Sequence, residues 1–141
     1  MAFNVLIVDD SAVMRAMVAR VLRLSGVPLG AMHHAANGAE ALRAVRERAV
    51  DLVLLDVNMP VMDGEETLRR LRADAATAAL PVIVVSTESS ETRVDALRAL
   101  GAAFVHKPFA PEALRDTILR ITGVTPDDYA FSAAGGGDGD F

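Results

Sequence analysis

Five short apolar runs lie along the chain, and each is followed by a stretch in which apolar residues recur at helical spacing. Residues 3–8 (FNVLIV) precede a helical pattern over residues 13–24, and residues 32–36 precede one over 39–48. The alternation continues with strand 52–55 and helix 65–72, strand 82–85 and helix 92–100, and strand 104–106 and helix 111–121. LVLL and VIVV are apolar at every position, as strands must be when helices cover both faces of a parallel sheet. Gly38, Gly64 and Gly101 sit at junctions, Pro81 opens a strand, and Pro111 with Glu112 opens the last helix. The pattern predicts a doubly wound five-stranded parallel α/β sheet of flavodoxin-like (βα)5 topology, with strand order 2-1-3-4-5.

Composition narrows what such a sheet can do. Hydrophobic residues make up 52% of the 141, enough for a core in one domain. There is no cysteine, which excludes disulfides, thiol nucleophiles and zinc–sulfur sites. Fourteen basic residues face fifteen acids up to residue 122, so no basic footprint for nucleic acid exists. No membrane span or secretory signal is visible, and the expected location is the cytoplasm. From residue 124 the composition turns glycine-rich and acidic, and residues 124–141 are expected to form a flexible tail behind a domain of residues 1–123.

Ligands of open α/β sheets bind beyond the carboxyl ends of the strands, near the switch point. Strand one ends in Asp9 and Asp10, strand three in Asp56, strand four in Ser86 and Thr87, and strand five in Lys107. The predicted order makes strands one and three neighbours, so three carboxylates share one crevice. Their repulsion calls for a cation, and an oxygen-only donor set suits Mg²⁺, held by Asp9 or Asp10, by Asp56 and by a nearby backbone carbonyl. Lys107 is the only lysine, against thirteen arginines, and an ammonium approaches a phosphate oxygen as a point charge. Acids, metal and lysine describe a phosphoryl site with Asp56 as the nucleophile.

Taken singly, each acid could be a helix cap, as could Ser86 or Thr87. Caps do not explain the lone lysine at a coincident strand end. Asp63, before Gly64, reads as a turn or cap residue. His33, His34 and His106 lack ligand spacing and read as packing or surface residues. Met14 and Met17 read as core by their spacing, and Met59 and Met62 as packing for the loop after Asp56.

The segments VDDSAVMR, LLDVNMPVMDG, LPVIVVST and HKPF together resemble the receiver domain of bacterial two-component response regulators, of the stand-alone chemotaxis (CheY-like) type. The resemblance implies that Asp56 is phosphorylated by a sensor histidine kinase. It makes Asp10 a direct Mg²⁺ ligand, Asp9 a ligand largely through water, and the Asn58 carbonyl the third protein ligand. Lys107 then pairs with the phosphate, and Ser86, with Thr87 as its neighbour, is the hydroxyl that follows it. Phe104, which lacks the tyrosine hydroxyl often found there, is the aromatic that turns inward. Asn58 and Glu88 match the chemotaxis regulator at the two positions that influence how water reaches the acyl phosphate. The Lys107–Pro108 peptide is expected to be cis.

The implied function is a phosphorylation-controlled binding module that catalyses its own phosphorylation and dephosphorylation but is not an enzyme in the ordinary sense. Its downstream effector is a flagellar motor or other signalling protein. One alternative is a phosphorelay intermediate that passes the group to a histidine phosphotransfer protein. A more remote one is an Mg²⁺-dependent phosphohydrolase, which would need a carboxylate where Asn58 stands.

Overall fold

The computed structural model describes residues 2–57, 59, 62–87 and 90–124. Ten elements alternate in the expected order: β1 (Phe3–Val8), α1 (Ala12–Leu24), β2 (Leu29–Ala35), α2 (Gly38–Glu47), β3 (Leu52–Leu55), α3 (Gly64–Ala73), β4 (Val82–Ser86), α4 (Glu91–Ala99), β5 (Ala103–His106) and α5 (Pro111–Thr122). The five strands form one parallel sheet in the order β2-β1-β3-β4-β5.

Alternation along the strands divides the core in two. Val5, Ile7, Leu54, Ile83 and Val105 face α1 and α5, where they meet Leu22, Leu114 and Ile118. Leu6, Val8, Val53, Leu55 and Val84 face the other way, onto Leu68 and Leu71 of α3 and Leu97 of α4. Most of these side chains are fully buried, each worth about 1.5–3 kcal/mol by area. A strand buried on both faces has no polar side to alternate with, which is why the pattern read as continuous runs.

β2 begins three residues earlier than the hydrophobic pattern placed it. It is the edge strand, and Leu29–His34 are only partly covered, so backbone pairing rather than burial defines its start. The Asn4 side-chain oxygen accepts from the Ala31 N–H at 2.9 Å. A Cβ at Gly30 would collide with that same oxygen, so a side chain there would push the Asn4 amide off Ala31. At the far end α5 stops at Gly123, whose φ of 72° is left-handed and whose N–H bonds the Leu119 carbonyl at 3.1 Å.

Candidate functional site

Parallel pairing of β1 with β3 puts Val8 beside Leu55, and the Asp56 N–H donates to the Val8 carbonyl at 2.9 Å. The next residues on each strand are therefore the acids. Carboxylate oxygens of Asp9, Asp10 and Asp56 all lie within 4.8 Å of one another. Asp9 is buried, Asp56 half-buried and Asp10 exposed.

The other side of the crevice forms in the same way. β4 pairs with β5 so that Ser86 meets His106, and the Lys107 N–H donates to the Ser86 carbonyl at 2.9 Å. Lys107 then extends its ammonium to 3.4 Å from Oδ2 of Asp9, with both side chains largely buried. Oδ1 of Asp9 accepts from the Ser11 N–H at 2.9 Å. Both oxygens of the most buried acid are thus engaged by this chain.

The capping reading fails for the acids at the crevice. α1 is capped by Ser11, α3 by Asp63 and α4 by Ser90. Asp63 is the cap its sequence suggested, accepting from the Glu66 N–H at 2.9 Å. Neither Ser86 nor Thr87 is the N-cap of α4, which is Ser90: Ser86 is buried at the end of β4, and Thr87 is exposed beside Lys107 and Pro108. The Lys107–Pro108 peptide is cis. Phe104 is half-buried against the α3–α4 side of the core, its ring centroid 4.6 Å from that of exposed His106. Register puts Phe104 beside Val84, so Phe104 and Ser86 share one face of the sheet. Asn58 and Glu88 lie outside the described residues, as does the tail beyond Val124.

Gly64 is fixed by a close approach. A Cβ there would sit 2.5 Å from the Asp56 carbonyl oxygen and 2.6 Å from Cα of Val57. The Gly64 N–H also bonds the Val57 carbonyl at 3.0 Å, tying the start of α3 under the acid. Met59 is buried among neighbours of this loop, as expected.

Two readings need correction. Met17 is not core: it is 55% exposed, because its side of α1 carries no covering element. Met14 is only half-buried and lines a surface groove with it. Helical spacing marks a face as apolar without saying that anything lies on it.

Arg15 went unnoticed. Its Nη1 donates to the Asp9 carbonyl at 2.6 Å, while its Nε is buried without a hydrogen-bond partner. The signal was a cation in the first turns of a helix, where the macrodipole disfavours it unless an acceptor holds it.

The response regulator receiver domain family matches residues 5–119. This chain belongs to that family. Receiver domains are phospho-acceptor signalling domains of two-component systems and bind Mg²⁺ at an acidic pocket. They interact with histidine kinases and downstream effectors. The chain is 40% identical over 132 residues to a protein-glutamate methylesterase/protein-glutamine glutaminase of Halalkalibacterium halodurans, covering 88% of this chain and 37% of that protein. It is 38% identical over 129 residues to the probable transcriptional regulatory protein TcrX of Mycobacterium tuberculosis, covering 89% and 53%. The chain thus spans between 29% and 53% of the length of the curated relatives it matches. Among solved structures, the Vibrio cholerae chemotaxis protein CheY4 superposes with a TM-score of 0.74 at 35% identity, over 86% of this chain and 99% of that one. No helix among the described residues is long and apolar enough to cross a membrane.

Proposed function

We propose that this receiver domain accepts a phosphoryl group on Asp56 and answers by reshaping a protein-binding face, in chemotaxis or motility signalling. The observation that carries the reading is the cluster of Asp9, Asp10 and Asp56 with the only lysine of the chain reaching into it. Three carboxylates and one ammonium leave the crevice short of positive charge, and a hard divalent cation fits that donor set. Asp9, Asp10 and Asp56 would hold Mg²⁺ together with the Asn58 carbonyl. Bound there, the ion supplies neutralisation of the transferring oxygens.

A carboxylate oxygen of Asp56 attacks phosphorus while the bond to the donor's imidazole nitrogen breaks, and the electron pair leaves with the imidazole. Lys107 pairs with an oxygen of the new acyl phosphate, and the Ser86 hydroxyl donates to another. Because Ser86 and Phe104 share a sheet face, movement of one changes the room for the other. Phosphorylation shifts the population only by these added contacts. The chemotaxis setting is supported by the likeness to the chemotaxis protein CheY4.

Intact-mass measurement after incubation with acetyl phosphate tests the chemistry. A single Mg²⁺-dependent phosphoryl adduct is expected on the wild type and none on Asp56→Asn. An adduct of equal yield on that variant overturns the assignment.

A further inference from the structure

Three large hydrophobic residues stand exposed among the described residues, and all belong to α1: Val13, Met17 and Leu24, at 70%, 55% and 64%. They lie at i, i+4 and i+11, one stripe down a single helix face. Beside the stripe Met14, Met17 and Val21 form, with the Lys107–Phe109 loop, a groove of about 380 Å³ whose walls are almost wholly apolar. The charges on this helix all have one sign. α1 carries Arg15, Arg20 and Arg23 and no acid, and Arg20 and Arg23 are exposed with no ion-pair partner among the described residues.

The chain's own continuation has the complementary composition. Residues 125–141 carry four aspartates, no basic residue, and three of the six aromatic rings of the whole chain. In Asp127, Asp128, Tyr129, Ala130 and Phe131 the acids directly precede the rings. Such rings are out of place in a segment that only keeps the protein soluble.

Reach agrees with this. α1 and α5 both start at the carboxyl edge of the sheet and pack side by side, so the Leu24 end of the stripe lies at the same end of the molecule as Val124. Packed helix axes are about 8–10 Å apart, and the stripe rises about 16 Å from Leu24 to Val13. At about 3.4 Å per extended residue, Asp127 and Asp128 can span the gap to Arg23 and Arg20. Tyr129 and Phe131 then fall within reach of Met17. Tethering makes the local concentration of the segment millimolar, so a weak contact suffices.

We propose that residues 127–131 dock in cis on the outer face of α1, with Tyr129 and Phe131 on the Met17 stripe and Asp127 and Asp128 against Arg20 and Arg23. The docked segment lies along the groove beside Lys107–Phe109.

The test does not involve phosphorylation, so its failure and failure of the Asp56 reading are distinguishable. The chain has no cysteine, and Ser132→Cys accepts one nitroxide label in the full-length protein. With methionine methyls labelled in ¹³C, the expected result at low salt is loss of the Met17 signal while those of Met59 and Met62 survive. The signal returns in molar salt, and in a labelled variant that also carries Asp127→Asn, Asp128→Asn, Tyr129→Ala and Phe131→Ala. An unaffected Met17, or equal broadening of every methionine, overturns the proposal. So does broadening that transfers to ¹³C protein mixed with labelled unenriched protein, because the contact is then between copies.

Discussion

The Lys107 ammonium lies 3.4 Å from Oδ2 of Asp9, joining the end of β5 to the end of β1 across the two strands between them. The lysine thereby supplies a positive charge to the most buried acid of the crevice. Lys107→Ala removes it and leaves Asp9 under-neutralised, at an expected cost of about 1–3 kcal/mol in metal-free buffer. Added Mg²⁺ should recover more stability in the variant than in the wild type, because the emptied crevice is more negative. Urea unfolding with and without Mg²⁺ reads both effects, and equal Mg²⁺ stabilisation of the two proteins would refute the coupling.

Gly64 has no room for a methyl group, since its Cβ would meet the Asp56 carbonyl and the Val57 backbone. Those atoms are backbone and cannot rotate away. Gly64→Ala is expected to destabilise the fold by about 1–3 kcal/mol and to displace Asp56, lowering the yield of acetyl phosphate adduct. A variant with wild-type stability and adduct yield would show that the approach relaxes freely.

Arg72 holds together the far side of the molecule. Its Nε donates to the Leu100 carbonyl at 2.7 Å, and its Nη1 reaches those of Ala78 at 3.2 Å and Leu80 at 2.8 Å. Burial lowers the guanidinium's pKa from its ordinary value, yet it stays charged. Arg72→Met should cost about 1.5–3 kcal/mol and speed amide exchange in residues 74–80. Lysine should not rescue it, because one ammonium cannot serve acceptors spread over two loops.

His34 sets a pH dependence. Partial burial, then the Arg15 guanidinium, then neighbouring His33 hold its imidazole below the ordinary 6.5. The unfolded chain therefore takes up a proton first as pH falls through 6.5, and stability declines from there until the folded imidazole also titrates. Because His34 is exposed, the slope is shallow and part of it disappears in salt. His34→Gln should flatten the stability profile below pH 6.5. A variant with the wild-type slope would place its origin elsewhere.

Leu54 reports on the core beneath the crevice, being 1% exposed between β1 and β4. Leu54→Ala is expected to lose about 2–5 kcal/mol, measured as a lower denaturation midpoint with an unchanged slope.

The strands of the sheet interior were legible because burial on both faces leaves an uninterrupted apolar run, as in LVLL and VIVV. Edge strand β2 was only half legible, since it starts where Leu29 pairs with Phe3 and then bulges at Gly30 and Ala31 before pairing resumes at Met32, which side-chain patterning does not report. The crevice could be read because parallel strands gather their last residues at one edge, so Asp9, Asp10, Asp56 and Lys107 needed only the strand order to be brought together. Arg15 and Arg72 escaped because both act on carbonyl oxygens, and a carbonyl acceptor has no letter in the sequence. Met17 misled because an apolar helix face looks the same whether it is covered or bare.

The left-handed turn at Gly123 ends α5 with its N–H on the Leu119 carbonyl and folds Val124 back against the α1–α5 side of the core. The last turn of the helix is thereby clipped shut by its own cap, so that end is anchored and is not left to fray.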